Sequence, residues 1–442
     1  MFKIVICIWR MMVFVLLIML IFSSTIVLAR PVASVKYNSV REEASRYGKE
    51  MLVLPYVLST ESMGSLVGVG GSVKGFGQEQ LLIGATAFSS ADDAEALYLG
   101  IWDLRLPWLN RLYISALGST GYYPRQRAYA EYPDNYTGVK AGSHDSSPDD
   151  YVEDAGHKKW LDVSLEYVLP MGAARDQSMI KYFLKDGMLV SKASGGRRWN
   201  PLECGVTILI AQQRNMYQSY ETDLGEIDGV IHPVDFGLLY DNTDFSPNPT
   251  VGSRQYVGST HGVDWGDAEE SWRFVELEMS KFISLSDSAT ARQRVIGLNF
   301  WTGYSPTWKQ EIDEDGNISN IDNPPFFEGA TLGGYYRMRG YPTDRFNDKA
   351  VLYTSAEYRH TLRWNPLKNI SLLRFLQTDW LQLVASFEGG RVAPEYDSDL
   401  LEDWNVCGGI GIRAMMAGGV FRFDINMSDE AVNGWAMVGH PF

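Results

Sequence analysis

Arg339 sits between Met338 and Gly340 in LGGYYRMRGYPTDRF, a stretch too rich in glycine and tyrosine to form a helix. A guanidinium there is a planar fork of N–H donors suited to carboxylates. Two carboxylates are placed to receive it. In VLYTSAEYR, Leu352, Thr354, Ala356 and Tyr358 form the more apolar face of an alternating run. Glu357 therefore points the other way, with Tyr353, Ser355 and Arg359. In LQLVASFEGG, Leu381, Leu383, Ala385 and Phe387 share one face, so Glu388 also lies opposite. If both opposite faces line one interior, a single guanidinium can bridge two strands. Gly340 would let the backbone pass close to the wall. From these residues alone Arg339 is either such a pin or a solvated loop charge, and both readings stand.

Other reactive constellations are missing from the sequence. The six histidines (His144, His157, His232, His261, His360 and His440) fall in no nucleophile-elbow or zinc-protease pattern. DEDGN at Asp313–Asn317 has only part of a calcium loop and reads as solvated. The expectation is a protein that is not an enzyme and has no cofactor or metal.

The elements that would carry these residues follow a period of two. In LDVSLEYVL, Leu161, Val163, Leu165, Tyr167 and Leu169 oppose Asp162, Ser164 and Glu166. Val275, Leu277 and Met279 alternate with Phe274, Glu276, Glu278 and Ser280. Phe421, Phe423, Ile425 and Met427 alternate with Arg422, Asp424 and Asn426. Any one such strand suits a soluble sandwich. Many of them, each about ten residues long, suit a tilted strand crossing a bilayer. The predicted fold is all-β, a transmembrane antiparallel barrel of about sixteen strands. The candidates are 51–60, 64–75, 80–89, 96–106, 111–122, 158–169, 203–219, 233–241, 253–263, 271–284, 293–304, 350–361, 378–389, 405–416, 418–427 and 434–442. Residues 170–202 hold either a short amphipathic segment under the barrel or a further strand pair.

The start of the chain reads as a targeting segment. Lys3 and Arg10 precede an apolar run over Met11–Leu28, and Val27–Ala29 offers a small-residue cleavage site. A retained apolar helix is the alternative. The expected division is a signal peptide over 1–29, a short periplasmic segment over 30–50 and a barrel over 51–442. The formal charge of −15 argues against nucleic acid as a partner. If the first strand runs outward, the acidic stretch 123–157 and the stretch 305–349 become external loops, while the turns at 76–79, 107–110 and 417 stay short and internal. Cys204 and Cys407 then lie near opposite rims and should stay unbridged.

With strands and loops in place, Met338-Arg339-Gly340-Tyr341 resembles the VRGF/Y-type tetrad in the sixth extracellular loop of the Omp85 superfamily, the bacterial surface antigen or BamA/TamA-like proteins. Eleven candidate strands precede it and five follow, as that pattern implies. YDNTDFSPNPTVG, Tyr240–Gly252, is similar to a family strand-turn element, with Thr243 where an arginine is usual. SFEGG, Ser386–Gly390, is similar to another, with Glu388 in place of the usual aspartate. The resemblance covers roughly 50–442. It implies an outer-membrane barrel whose long sixth loop folds inward, with Arg339 held by Glu357 and Glu388.

It also implies a role in membrane insertion, translocation or lipid/protein handling, with an unidentified client protein or lipid. Its partners would be the outer-membrane bilayer with its lipopolysaccharide, and the assembly machinery for its own insertion. A passive porin-like channel is the alternative. Only residues 30–50 precede the first strand, too few for a POTRA module, so a barrel-only form is expected. Pro55 in the first strand, and Gly439 and Pro441 in the last, weaken the ladder that closes the barrel. This seam is expected to be the weakest pairing, as the family's lateral gate implies. Phe442 resembles a terminal assembly signal, although Met437 and His440 fit its pattern poorly.

Overall fold

A computed structural model describes residues 24–28, 33–41, 49–60, 63–130, 135–136, 138–222, 225–264, 271–286 and 288–442. The leader expected over 1–29 lies outside them except for 24–28. The sheet is a meander in which each strand pairs antiparallel with the next in sequence. Its strands are β1 (Glu50–Thr60), β2 (Gly64–Lys74), β3 (Leu82–Ser90), β4 (Glu95–Leu106), β5 (Leu109–Ala128), β6 (Val152–Val168) and β7 (Val206–Thr222). After these come β8, in two parts (Gly225–Ile231 and Val234–Asp241), β9 (Gly252–His261), β10 (Arg273–Ser284), β11 (Ala291–Tyr304) and β12 (Ala350–Leu362). Last are β13 (Thr378–Ala393), β14 (Asn405–Met416), β15 (Gly419–Met427) and β16 (Val432–Val438). The sixteen strands match the sixteen expected. β8 breaks at Pro233, which has no N–H for the ladder and constrains the residue before it.

The polarity is inside out. Leu161, Val257, Phe387 and Ile410 are exposed on the outer face, while Glu357, Glu388, Arg359 and Arg413 are buried. A soluble sandwich buries its apolar face; a transmembrane barrel turns that face to lipid. Inward side chains from all round the wall, including Tyr56, Tyr98, Trp160, Tyr256, Trp301 and Trp435, line one central cavity of about 1690 Å³. β5 and β6 are longer than expected, at 20 and 17 residues, so the loop between them shrinks to 129–151.

The connection β11–β12, residues 305–349, is the sixth on its side and folds back into the barrel. Its own short hairpin pairs Ala330–Leu332 with Phe346–Asp348, and the tetrad sits at the tip. A second piece, Lys309–Ile312 with Ile318–Ile321, adds Asn135–Tyr136 from the β5–β6 loop as a third strand. At the opposite mouth, residues 170–202 supply a strand pair, Ile180–Lys185 with Met188–Leu189, and Tyr37–Arg41 joins it in parallel. Ile180, Tyr182 and Leu184 pack with Val35, Tyr113, Trp380 and Met415 in a core that crosses this mouth.

The seam differs from expectation. β16 and β1 are neighbours in the sheet order, but no run of paired residues joins them among the described residues. Instead Ser24–Leu28 runs parallel to β16, with Ser24 opposite Trp435 and Leu28 opposite Val438, and it also touches β1. The last strand ends at Val438 rather than 442. Gly439 turns with φ +91° and its N–H donates to the Val420 carbonyl. The tail then leaves the wall. His440 meets Arg413 and Asn248, and Phe442 packs on Phe282 and Val295 inside the lumen. Gly439, Pro441 and Phe442 are therefore not part of a seam strand. A seven-residue β16 whose end turns inward cannot match the eleven residues of β1. Pro55 lies in β1, opposite Val69 of β2.

Candidate functional site in the lumen

The tip of the sixth loop is built for close approach. Met338 adopts φ +54°, and Gly333 and Gly334 have φ +115° and +101°. Gly340 is pressed on the wall: a Cβ there would lie 2.6 Å from the Cys407 Cβ and 2.8 Å from the Met427 carbonyl carbon. Only glycine permits that contact.

Arg339 is buried, and each of its guanidinium nitrogens meets a different strand. Nη2 donates to Glu357 Oε1 at 3.0 Å, Nε to Glu388 and Nη1 to Asp424. Its backbone N–H donates to Glu388 Oε2 at 3.2 Å, and its carbonyl accepts from Trp435 Nε1 at 2.8 Å. Tyr353 adds a hydroxyl to Glu388 at 2.9 Å. Glu357 also accepts from Arg359 at 2.9 Å and from Arg413 at 2.6 and 2.9 Å. Arg422 donates to Asp424 at 2.9 Å. The tip is fastened further by Tyr341, whose hydroxyl donates to Asp429 at 2.8 Å, and by Ser428, which donates to the Gly340 carbonyl at 2.9 Å. Met338 is buried in the surrounding aromatic core.

The structure thus brings together Arg339, Glu357 and Glu388, and places Met338, Gly340 and Tyr341 around them. Reasoning from sequence missed Asp424 and Arg413 as partners. It also missed three further attachments of the same loop. Arg337 donates to Glu278 at 3.0 Å and stacks 3.8 Å over Trp301. Glu328 accepts from Arg214, which also holds Asp235 at 2.8 and 3.0 Å. Arg345 forks onto Glu430 at 2.8 and 2.9 Å and donates to the Ser146 carbonyl. The inward parity of Arg422 and Asp424 was visible in the β15 alternation and points to the same cluster. In the loop, burial first, and then Glu328, pushes the Asp344 carboxyl up to about 7, against the opposing pull of Lys158. Burial also raises the Tyr341 phenol, which stays a donor.

A guanidinium distributed over three strands positions a loop. Among the described residues no three His, Cys, Asp or Glu side chains group as a metal site, and Cys204 and Cys407 are both free thiols. Asp313 accepts from the Asp315 and Asn317 N–H groups and from the Asn317 amide, closing its own turn.

A family model described as the Omp85 superfamily domain matches residues 210–430, half of the chain. Among solved structures the chain is similar to CdiB from Escherichia coli at 12% identity and a TM-score of 0.51, over 88% of this chain and 60% of that one. Similarity to CdiB from Acinetobacter baumannii is 10% with a TM-score of 0.48, over 88% and 59% of the two chains. For BamA from Haemophilus ducreyi lacking POTRA domains 1–3 it is 12% with a TM-score of 0.40, over 88% and 69%. At these identities the likeness is one of fold, and the chain spans about three fifths of the length of CdiB. No curated protein matches it.

Proposed function

This chain belongs to the Omp85 superfamily, and from that premise we propose that it is an outer-membrane barrel that inserts or translocates a client polypeptide, or handles lipid and protein together. The observation that carries this reading is the sixth loop, latched inside the lumen by Arg339 on Glu357, Glu388 and Asp424. A passive pore needs a clear water path, and here an ordered loop with four separate ionic attachments occupies the lumen. The seam supports the same reading, because among the described residues no run of paired residues joins β16 to β1, and Ser24–Leu28 pairs with β16 instead. The bilayer and its lipopolysaccharide would be the standing partners, the assembly machinery a transient one and the client a third. Export through a leader over 1–29 belongs to this proposal.

The test is depletion of the protein, followed by comparison of the outer-membrane protein and lipid composition, with cross-linking to capture what travels with it. Loss of particular outer-membrane or surface proteins supports the reading. An unchanged composition, together with steady ohmic conductance of the purified barrel, overturns it in favour of the porin-like channel.

A further inference from the structure

The mouth opposite the sixth loop holds residues 33–41 as if they were a bound ligand. Tyr37–Arg41 adds to Ile180–Lys185 as a parallel strand, with five residues in register from Tyr37 opposite Ile180 to Arg41 opposite Leu184. Addition of an extended chain to a sheet edge is a standard mode of peptide recognition, with pockets for particular side chains giving the specificity. Two such pockets are present. Lys36 is buried, and its ammonium lies 2.6 Å from both Asp103 on β4 and Glu166 on β6. Arg41 lies 2.5 Å from Asp379 on β13 and donates to the Gln377 carbonyl at 3.0 Å.

The two pockets are built at irregularities of the wall. The β4–β5 register shifts between Ile101 and Leu104, and Asp103 itself has φ +63°. The β13–β14 register shifts between Thr378 and Trp380, across Asp379, and Gln377 before it has φ +48°. Bulges re-aim side chains, and strained non-glycine backbone persists where the surroundings impose it. Each irregularity here turns a carboxylate towards one cation of the segment. β5 and β13 are half the ring apart, so the segment is held from opposite walls. The fit is nevertheless incomplete: Asn38 Oδ1 and Ser39 Oγ of the segment are buried without a hydrogen-bond partner, and Glu50 on β1 approaches Arg41 only to 3.9 Å.

We propose that this mouth is a binding site for an extended peptide segment carrying two basic side chains five residues apart. The chain's own residues 33–41 occupy it, and a client segment of the same chemistry displaces them. This rests on the polypeptide-handling reading above. The sheet edge on Ile180–Lys185 supplies backbone pairing to any sequence, and the carboxylates at Asp103, Glu166 and Asp379 select the cations.

The experiment uses the full chain in detergent and a fluorescent synthetic peptide, ASVKYNSVR, copied from residues 33–41. Lys36→Gln with Arg41→Gln weakens the internal occupant, and folding is checked by heat-modifiable mobility. This variant should bind the peptide, whereas the wild type binds several-fold less. A peptide with both cations changed to glutamine should not bind. Adding Val40→Cys and Phe183→Cys, which face each other in the register, should block binding when oxidised and restore it when reduced. If the double variant fails to fold, Lys36→Gln and Arg41→Gln are tested singly. A folded variant that takes no peptide, or takes both peptides equally, overturns the proposal. Normal peptide exchange in a barrel whose depletion leaves the outer membrane unchanged would sink the proposed function and leave this site standing.

Discussion

At Arg339 the electrostatic balance decides the outcome of substitution. Four guanidiniums, those of Arg339, Arg359, Arg413 and Arg422, meet three carboxylates, those of Glu357, Glu388 and Asp424. Glu357 keeps Arg359 and Arg413 if Arg339 is lost, and Asp424 keeps Arg422. Glu388 keeps only neutral donors among the contacts described above, the Tyr353 hydroxyl and the backbone N–H of residue 339. Removing one partner from a buried pair costs about 3–5 kcal/mol, because the remaining charge stays desolvated. Arg339→Ala should therefore undock the loop and lower the temperature at which the compact, fast-migrating form is lost on an unboiled gel. Trypsin should then cut at Arg337 or Arg345. A wild-type digestion pattern would reject this. Arg339→Lys should behave nearly as badly, since one ammonium cannot serve three carboxylates on three strands. Asp344 adds a pH dependence. Its carboxyl titrates near 7 in the docked loop and near the ordinary aspartate value when released. The docked state thus binds the extra proton, so the contribution of Asp344 to docking is full at low pH and is lost as pH rises through about 7. Digestion of the loop should be slower at pH 5.5 than at pH 8.5, and Asp344→Asn should flatten the difference. Parity alone located Glu357, Glu388, Arg422 and Asp424 on the inner wall. It did not say which of them converge, because that depends on strand stagger, which a single strand does not encode.

The strands themselves were legible because lipid and lumen impose opposite demands on alternate residues, and that signal is local. What escaped depended on distant partners. Ile180–Lys185 is a six-residue strand whose partner, Tyr37–Arg41, lies far away in sequence. The end of β16 escaped because Val438 to Phe442 continues to look like strand until Gly439 turns it inward. Two predictions belong to these elements. Gly340→Ala places a methyl carbon against Cys407 and the Met427 backbone, an overpacking that costs about 1–3 kcal/mol. It should undock the tip while leaving the barrel's heat-modifiable shift intact; unaltered protease resistance of the loop would count against the tight approach. At the seam, β16 pairs fully with β15, while on its other edge the run of paired residues among the described residues is with Ser24–Leu28. Amide exchange should be faster along β16 than along the β14–β15 hairpin, where nine residue pairs are in register behind a tight turn. A leader cut at Ala29 would take Ser24–Leu28 with it and widen the difference. Equal protection of the two regions would mean that β16 is ladder-bonded to β1 after all.

Taken whole, the molecule is a tube with an obstruction at each end: the sixth loop on one side, and residues 33–41 with Ile180–Lys185 on the other. Obstructions in series add as resistances, so clearing one leaves the current limited by the second. Arg339→Ala alone, or Lys36→Gln with Arg41→Gln alone, should therefore raise single-channel conductance only modestly and in brief openings. Combining them should produce sustained openings larger than the two increments together. The sign of the selectivity follows from the wall. Among the described residues the cavity is lined by twelve carboxylates against seven lysines and arginines, and a low-dielectric lumen with that excess concentrates cations. The combined variant in a planar bilayer with a salt gradient should give a reversal potential of cationic sign, reduced by high ionic strength as screening shortens the reach of the wall charges. If either single release already gives the full conductance, the two ends are not both barriers, and the end that was left intact never closed the tube.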